Sequence, residues 1–244
     1  MKRLLLSFVC LLLTTSAGLA ETANAPAELK SFLSQMVPGQ TPDAIEETPL
    51  KGVYQVIYGS DIFYFSEDGR YMLRGDLVDL KTNTNISEKT RSTARKAALS
   101  RLDKDSMIIY PAKGDRKHVV TVFTDIDCPY CRKLHDGMAE MNEMGIEIRY
   151  LAFPRAGVNS TTFKNMASIW CAENPRAAMD KAKGGGKVES ADCNHGIKEH
   201  MKLVRELGVT GTPALILEDG RIIGGYVPPK KLSSMLEGKM PTRR

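Results

Sequence analysis

Beyond residue 13 the sequence contains no apolar run near the roughly 20 residues that a helix needs to cross about 30 Å of hydrocarbon, so no later segment is expected to span a membrane. Nor does any cluster of Lys and Arg alternate with aromatic residues. The 34 basic and 29 acidic residues are mixed along the chain, so the formal charge of +5 gives no footprint for nucleic acid. No internal repeat or low-complexity tract appears, which excludes a repeat array. Cysteine is scarce, at five in 244 residues, and one pair alone has CxxC spacing. The absence of a second CxxC weakens any zinc reading. Such a site would need two further ligands, from Cys171, Cys193 or His195. Haem attachment would need His at the position after the second cysteine, where Arg132 stands. No metal and no cofactor are expected.

What is present begins with a leader. Lys2 and Arg3 form a basic head, residues 4–13 an apolar run, and Ala17, Gly18, Ala20 and Ala23-Asn24-Ala25 a small-residue stretch. That order is the pattern of a secretory signal peptide over residues 1–25, cleaved after Ala20 or after Ala25, with the A-x-A site favouring the second. Cys10 leaves with it; it lies too early, behind Ser7-Phe8-Val9, for a lipid attachment site. Four cysteines remain: Cys128, Cys131, Cys171 and Cys193. In an oxidising compartment an even count suggests two bridges with three possible connectivities. Their local arrangement favours Cys128–Cys131 with Cys171–Cys193.

The mature chain reads as α+β followed by α/β, in two domains joined by a helix. Residues 26–86 form the first. Leu29, Phe32, Leu33 and Met36 are spaced for a helix over 26–37, which Pro38-Gly39 ends. Residues 53–58 and 62–65 are β-branched and aromatic, Asp68-Gly69 signals a hairpin, and 71–74 and 77–80 continue the strands. A unit of about 60 residues is marginal alone. Pairing with a second copy through exposed strand edges is the expected remedy. Residues 87–104 form a linker helix capped by Ser87, with Ala94, Ala97, Ala98, Leu99 and Leu102 as its main apolar positions. Its polar character reads as a solvent-bridging connector; a helix of one merged domain is the other reading.

From 105 to 244 strands and helices alternate. Strands are expected at 107–110 and 119–123, a helix over 129–143, and a strand at 146–153. Helical segments follow through 160–207, interrupted by Gly184-Gly185-Gly186. Then come a strand at 214–217, a turn at Asp219-Gly220, a strand at 222–225 and a last helix over 228–236. Strand, CxxC, helix, strand, helices, hairpin and helix is the order of a thioredoxin fold.

Cys128-Pro129-Tyr130-Cys131 stands where a strand gives way to a helix. Unpaired N–H groups and the positive end of the helix dipole there stabilise a thiolate on the outer sulfur. The inner thiol, about a turn on, can attack a mixed disulfide formed by the first. Cys128 is assigned as nucleophile, on an accessible outer rim, and Cys131 as resolving thiol. A purely structural bridge between them would close a four-residue ring and restrict little chain entropy. Pro129 suits the first helical position, and Tyr130 projects near the active face. Asp127 places a carboxylate beside Cys128 and opposes thiolate formation. His135, one turn beyond Cys131, reads as a solvent-facing helix residue rather than a tuner of the pair. Thr212-Pro213, directly before a strand, fits a cis-proline loop that presents the Thr212 backbone to an extended substrate beside Cys128. Closing the roughly 23-residue loop between Cys171 and Cys193 would contribute roughly 3 kcal/mol in the chain-entropy model, which reads as a static staple; a second redox-active pair is the alternative.

Four segments then carry a resemblance. Phe123-Thr124-Asp125-Ile126-Asp127-Cys128-Pro129-Tyr130-Cys131-Arg132-Lys133-Leu134-His135, Arg149-Tyr150-Leu151-Ala152-Phe153-Pro154-Arg155, Ile169-Trp170-Cys171-Ala172 and Gly211-Thr212-Pro213-Ala214 resemble the bacterial periplasmic disulfide isomerases of the DsbC type. The likeness covers essentially the whole mature chain. It implies a V-shaped homodimer joined through cystatin-like N-terminal domains, with thioredoxin domains facing a shared apolar cleft. It also implies isomerisation of wrong disulfides in secreted proteins, chaperone-like holding, and a membrane reductase of the DsbD type as electron donor. In that family Cys171–Cys193 matches a structural disulfide and Thr212-Pro213 the threonine before the cis-proline. One departure is Pro-Tyr between the cysteines, where the family usually has Gly-Tyr; it bears on the balance of isomerase and reductase work. A narrow-substrate reductase of the DsbG type, a dithiol oxidase and a non-catalytic holdase are the competing functions.

Overall fold

The computed structural model describes residues 25–239; the leader expectation falls on residues 1–24 and lies outside the described residues. The described chain divides into two compact units. One comprises residues up to Tyr58 with Phe63–Arg74, the other Gly59–Ile62 with the chain from Gly75 onward.

In the first unit, α1 (Ala27–Met36) covers a four-stranded antiparallel sheet of β1 (Ala44–Glu47), β2 (Val53–Tyr58), β3 (Asp61–Ser66) and β4 (Met72–Leu73), in that order. Leu29 and Leu33, four apart on one helix face, bury against Ile45, Val56 and Phe65. Strand β1 escapes a sequence reading because Ala44-Ile45-Glu46-Glu47 shows no apolar alternation. Its pairing with β2, Ile45 opposite Val56, holds it in place. Residues 77–80 do not continue this sheet. β5 (Val78–Asp79) instead pairs with β6 (Thr84–Asn85) in a separate hairpin. The Asp79 carboxylate accepts the N–H groups of Lys81 and Thr82 and closes its turn.

The second unit is built on a five-stranded sheet ordered β11-β10-β8-β9-β7. These strands are β7 (Ile108–Tyr110), β8 (His118–Thr124), β9 (Ile146–Ala152), β10 (Ala214–Ile216) and β11 (Ile222–Gly224). β8 and β9 run parallel, joined through α3 (Pro129–Asp136) and α4 (Met138–Glu143); the other neighbours are antiparallel. α5 (Thr161–Trp170), α6 (Pro175–Lys183), α7 (Ile197–Glu206) and α8 (Pro229–Leu236) complete it. One apolar cluster gathers Val120, Val122, Ile148 and Tyr150 with Leu134, Met141, Met179 and Leu232. A second packs Phe123, Leu151 and Ile216 with Leu203, Val204 and Leu207. Alternate side chains of β8 and β9 thus feed cores on both faces of the sheet.

The helix expected over 129–143 is broken at Gly137, where a Cβ would come within 2.7 Å of Pro229 on α8. That close approach explains why glycine stands there. The linker helix, α2 (Ile86–Ser100), is capped by Asn85, whose side chain accepts from the Glu88 N–H. It is not a solvent-surrounded connector. Ser87, Ser92, Arg95 and Ala98 are buried, Ala98 joins the second core cluster, and Arg95 Nε donates to the Leu207 carbonyl at 3.2 Å. A buried arginine on its inner face makes the helix look polar in sequence.

Candidate thiol–disulfide site

β8 delivers the chain to the site. After Thr124, the Asp125 carboxylate accepts the Asp127 N–H (2.8 Å) and thereby folds the turn that opens α3. Cys128 is the N-cap residue with extended φ and ψ, and its carbonyl accepts the N–H groups of Cys131 and Arg132, both at 3.0 Å. Pro129 occupies the first turn, where a missing N–H costs least. Tyr130 is 62% exposed.

Both thiols are unbridged. Cys131 is fully covered, whereas Cys128 is the shallower of the two but still only 2% exposed. The outer sulfur therefore does not stand on the open rim expected from the sequence. Cys128 Sγ donates to the Thr212 carbonyl at 3.3 Å, and Thr212-Pro213 is a cis peptide. Pro213 is buried and its carbonyl accepts the Gly225 N–H at 2.8 Å, tying the loop to the end of β11. Beside it lies an open groove of about 960 Å³ whose lining includes Gly211, Thr212, Ile222, Tyr226, Val227 and Met235.

The two sulfurs are pulled apart electrostatically. Burial opposes ionisation of Cys128, yet the Thr212 side chain, the thiol and backbone of Cys131 and the charge of Arg155, all favouring the thiolate, outweigh it, so its pKa lies below the ordinary thiol value. For Cys131 burial wins and raises the pKa, against the opposing charge of Lys183. Asp127 does little to disturb this: its carboxylate accepts from Thr162 Oγ1 at 2.5 Å and faces Arg132 at 3.8 Å.

Several residues here carried no assigned role in the sequence. Asp125 is buried, and its second oxygen accepts the Arg155 N–H (3.1 Å) and Arg155 Nε (2.9 Å). That pair clamps the strand end beneath the thiols to the loop after β9. Arg132 Nε holds the Ile126 carbonyl at 2.8 Å. His135 is not solvent-facing: it stacks on Tyr150, its Nδ1 lies 3.2 Å from Tyr150 Oη and its Nε2 3.1 Å from Asp180. Burial lowers its pKa despite the Asp180 charge. The clue available in sequence was spacing alone, His135 falling one turn after Cys131.

Away from the thiols, Cys171 and Cys193 are joined in a disulfide that links the end of α5 to the loop before α7. His195 packs its ring edge against Phe163, and its Nδ1 accepts the Ile197 N–H. Among the described residues no group of three or more His, Cys, Asp or Glu side chains is placed to hold a metal, and no helix is long and apolar enough to cross a membrane.

The arrangement is that of a dithiol centre: one thiol poised to ionise, a second beneath it, and an exposed groove alongside. The domain family described as the disulfide bond isomerase protein N-terminal domain matches residues 20–88, and one described as a thioredoxin-like domain matches residues 104–239. The thiol:disulfide interchange protein DsbC of Dickeya dadantii is 39% identical over 241 residues, covering 97% of this chain and 96% of that protein. The chain belongs to the DsbC family. DsbC of Escherichia coli is 37% identical over 226 residues, covering 93% and 92% of the two chains. A solved disulfide interchange protein from Neisseria gonorrhoeae is similar with a TM-score of 0.50 and 27% identity, over 56% of this chain and 97% of that one. Membership in the DsbC family makes the chain a thiol:disulfide oxidoreductase with an isomerase-type N-terminal domain ahead of a thioredoxin-like one.

Proposed function

We propose that this DsbC-family chain reshuffles incorrect disulfides of secreted proteins in the periplasm, with Cys128 as nucleophile and Cys131 as resolving thiol. The Cys128 thiolate attacks one sulfur of a wrong disulfide, forming a mixed disulfide and expelling the other substrate sulfur as a thiolate. That thiolate attacks elsewhere in the substrate until Cys128 is returned, with no net oxidation. When rearrangement stalls, Cys131 attacks the Cys128 sulfur, the substrate leaves reduced by two electrons, and Cys128–Cys131 is left as a disulfide. A membrane reductase of the DsbD type then restores the dithiol. The observation that carries this reading is the placing of Cys128 at the N-cap of α3 beside the Thr212 carbonyl, with Cys131 deeper and one turn on. The pKa of the first lies below its ordinary value and that of the second above it. This placing divides the roles between attack and escape.

The groove beside Thr212 and Pro213, with Ile222, Tyr226 and Val227 in its lining, suits an extended unfolded segment held alongside Cys128. Tyr130, whose side chain is exposed, is the residue of the active-site loop assigned to contact it. Pairing of two copies through residues 26–86 is supported by the edge strand β4, where Tyr71, Met72 and Leu73 are exposed together. The Cys171–Cys193 bridge serves as a structural staple. Recovery of scrambled ribonuclease activity tests the reading: wild type accelerates it, and Cys128→Ala is expected to abolish the acceleration. An unchanged rate in that variant overturns the mechanism. Trapping of free thiols in cells separates an isomerase, found mainly reduced, from a dithiol oxidase.

A further inference from the structure

Lys183, the last residue of α6, is only 4% exposed. Its Nζ donates to Thr124 Oγ1 at 2.7 Å and to the Asp125 carbonyl at 2.9 Å, and lies 5.8 Å from the centre of the Tyr150 ring. The Asp125 carbonyl also accepts the Cys128 N–H at 3.3 Å, so the ammonium sits one hydrogen-bonded group from the backbone of the outer cysteine. Both acceptors are neutral. Among the described residues Lys183 makes no salt bridge, and the Asp125 carboxylate is engaged instead by the Asp127 N–H and Arg155. A buried ammonium outside any direct salt bridge is costly. Of the groups whose charge acts on it, the two that gain an anion during the reaction are Cys131 and Cys128.

We propose that the Lys183 ammonium is a positioning residue for the resolving step, the counter-charge that lets the covered Cys131 thiol ionise within the mixed disulfide. The inference rests on the assignment of Cys131 as resolver and goes beyond it by naming the group that makes a deeply buried thiol usable. In the step, Cys131 sheds its proton to solvent and its sulfur attacks that of Cys128. The Cys128–Cys131 bond forms as the bond from Cys128 to the substrate sulfur breaks. The substrate sulfur leaves with the electron pair and takes up a proton from solvent; the substrate is reduced and the dithiol oxidised by two electrons. Lys183 remains protonated throughout, holding Thr124 and Asp125. Burial pushes its pKa down to about 8, which still leaves it mainly charged at neutral pH, while Cys131 and Asp125 favour its charged form.

The groups acting on Cys131 are Lys183 from α6, the Asp125 backbone in the turn after β8, Thr212 and Cys128, and the charge of Cys131 is felt by Tyr150 of β9 and Arg155 of the following loop. Of these, Lys183 contributes the leading charge that favours the Cys131 thiolate.

The test is stopped-flow reaction of the leader-free protein, reduced at Cys128 and Cys131, with dithiobis-nitrobenzoate, which releases one coloured thiolate when Cys128 attacks and a second when Cys131 resolves. Lys183→Met is expected to leave the first release in place and to raise the pH midpoint of the second by roughly one unit, the lower end of what a nearby opposite charge gives. At neutral pH the second release slows only about threefold, because a more basic thiolate is also a better nucleophile. Lys183→Gln keeps a donor for Thr124 and Asp125 without the charge, and is expected to show the same upward midpoint. An unchanged midpoint in Lys183→Met, or a wild-type midpoint in Lys183→Gln, overturns the counter-charge. Loss of the first release in wild type would instead overturn the assignment of the thiols.

Discussion

At the scale of single residues, this protein places charged and polar groups where solvent cannot reach them and lets their neighbours set the ionisation state. Cys128 and Cys131 are both buried and burial raises the pKa of each; the deeper burial of Cys131 and the partners of Cys128 separate them. His200 shows the same physics without chemistry. It is fully buried, accepts the Ala152 N–H through Nδ1 at 3.3 Å and lies 3.3 Å from Ser106 Oγ through Nε2. Burial, with His195 adding to it, pushes its pKa down to about 4. An unfolded histidine titrates near 6.5, so the unfolded chain takes up a proton that the folded chain refuses as pH falls through that interval. The stability His200 confers is fully present above about pH 6.5 and is lost toward pH 4, by about 3 kcal/mol. Urea unfolding at several pH values, compared between wild type and His200→Asn, is expected to show a shallower acid loss in the variant. Parallel curves would show that His200 is not the acid-sensitive group.

At the scale of elements, α2 carries its docking chemistry in one side chain. Arg95 donates to the Leu207 carbonyl, lies 3.5 Å from the Gly220 carbonyl, and pairs with Glu88 at 2.6 Å on its own helix. Gly220 completes the fit: its φ is +85°, and a Cβ there would run into the Ser92 carbonyl of α2. Arg95→Met keeps the length and helix propensity but takes this donor from two carbonyls and leaves the Glu88 carboxylate to Ser92 and Arg91. A loss on the order of 2–3 kcal/mol is expected, read as a lower urea midpoint with an unchanged slope. A change below about 0.5 kcal/mol, the range of ordinary surface substitutions, would show that the helix is held by Ala98 and its apolar neighbours instead.

At the scale of the whole molecule, the first unit has a small core, essentially Leu29, Leu33, Ile45, Val56 and Phe65 around Ala25, and an edge strand whose side chains are exposed. Both features favour a second copy. Sedimentation of the leader-free chain at micromolar concentration is expected to give twice the chain mass. Leu73→Asp on the edge strand is expected to move it toward one chain and to lower the refolding of scrambled ribonuclease while single-thiol reactivity at Cys128 persists. A wild-type mass of one chain would remove the dimer from the proposal.

Fold class and family were legible in the sequence because their signals are local: apolar β-branched residues running into Cys128, Pro129 opening a helix, Gly211-Thr212-Pro213 before a strand. The small strand β1 and the hairpin of β5 with β6 were not, since two to four residues without alternation take their conformation from a partner strand. His135, Arg95 and Lys183 were misread or passed over for one reason: a polar residue in a helical stretch looks solvent-facing until the surrounding elements are assembled. The chain's own order determined which sulfurs could do chemistry and at which junction they would sit. Only the tertiary structure showed which distant groups surround them. Thr212, Arg155 and Lys183 reach the thiols from segments 24 to 84 residues away in sequence, and electrostatic energy depends on distance in space and on the exclusion of water.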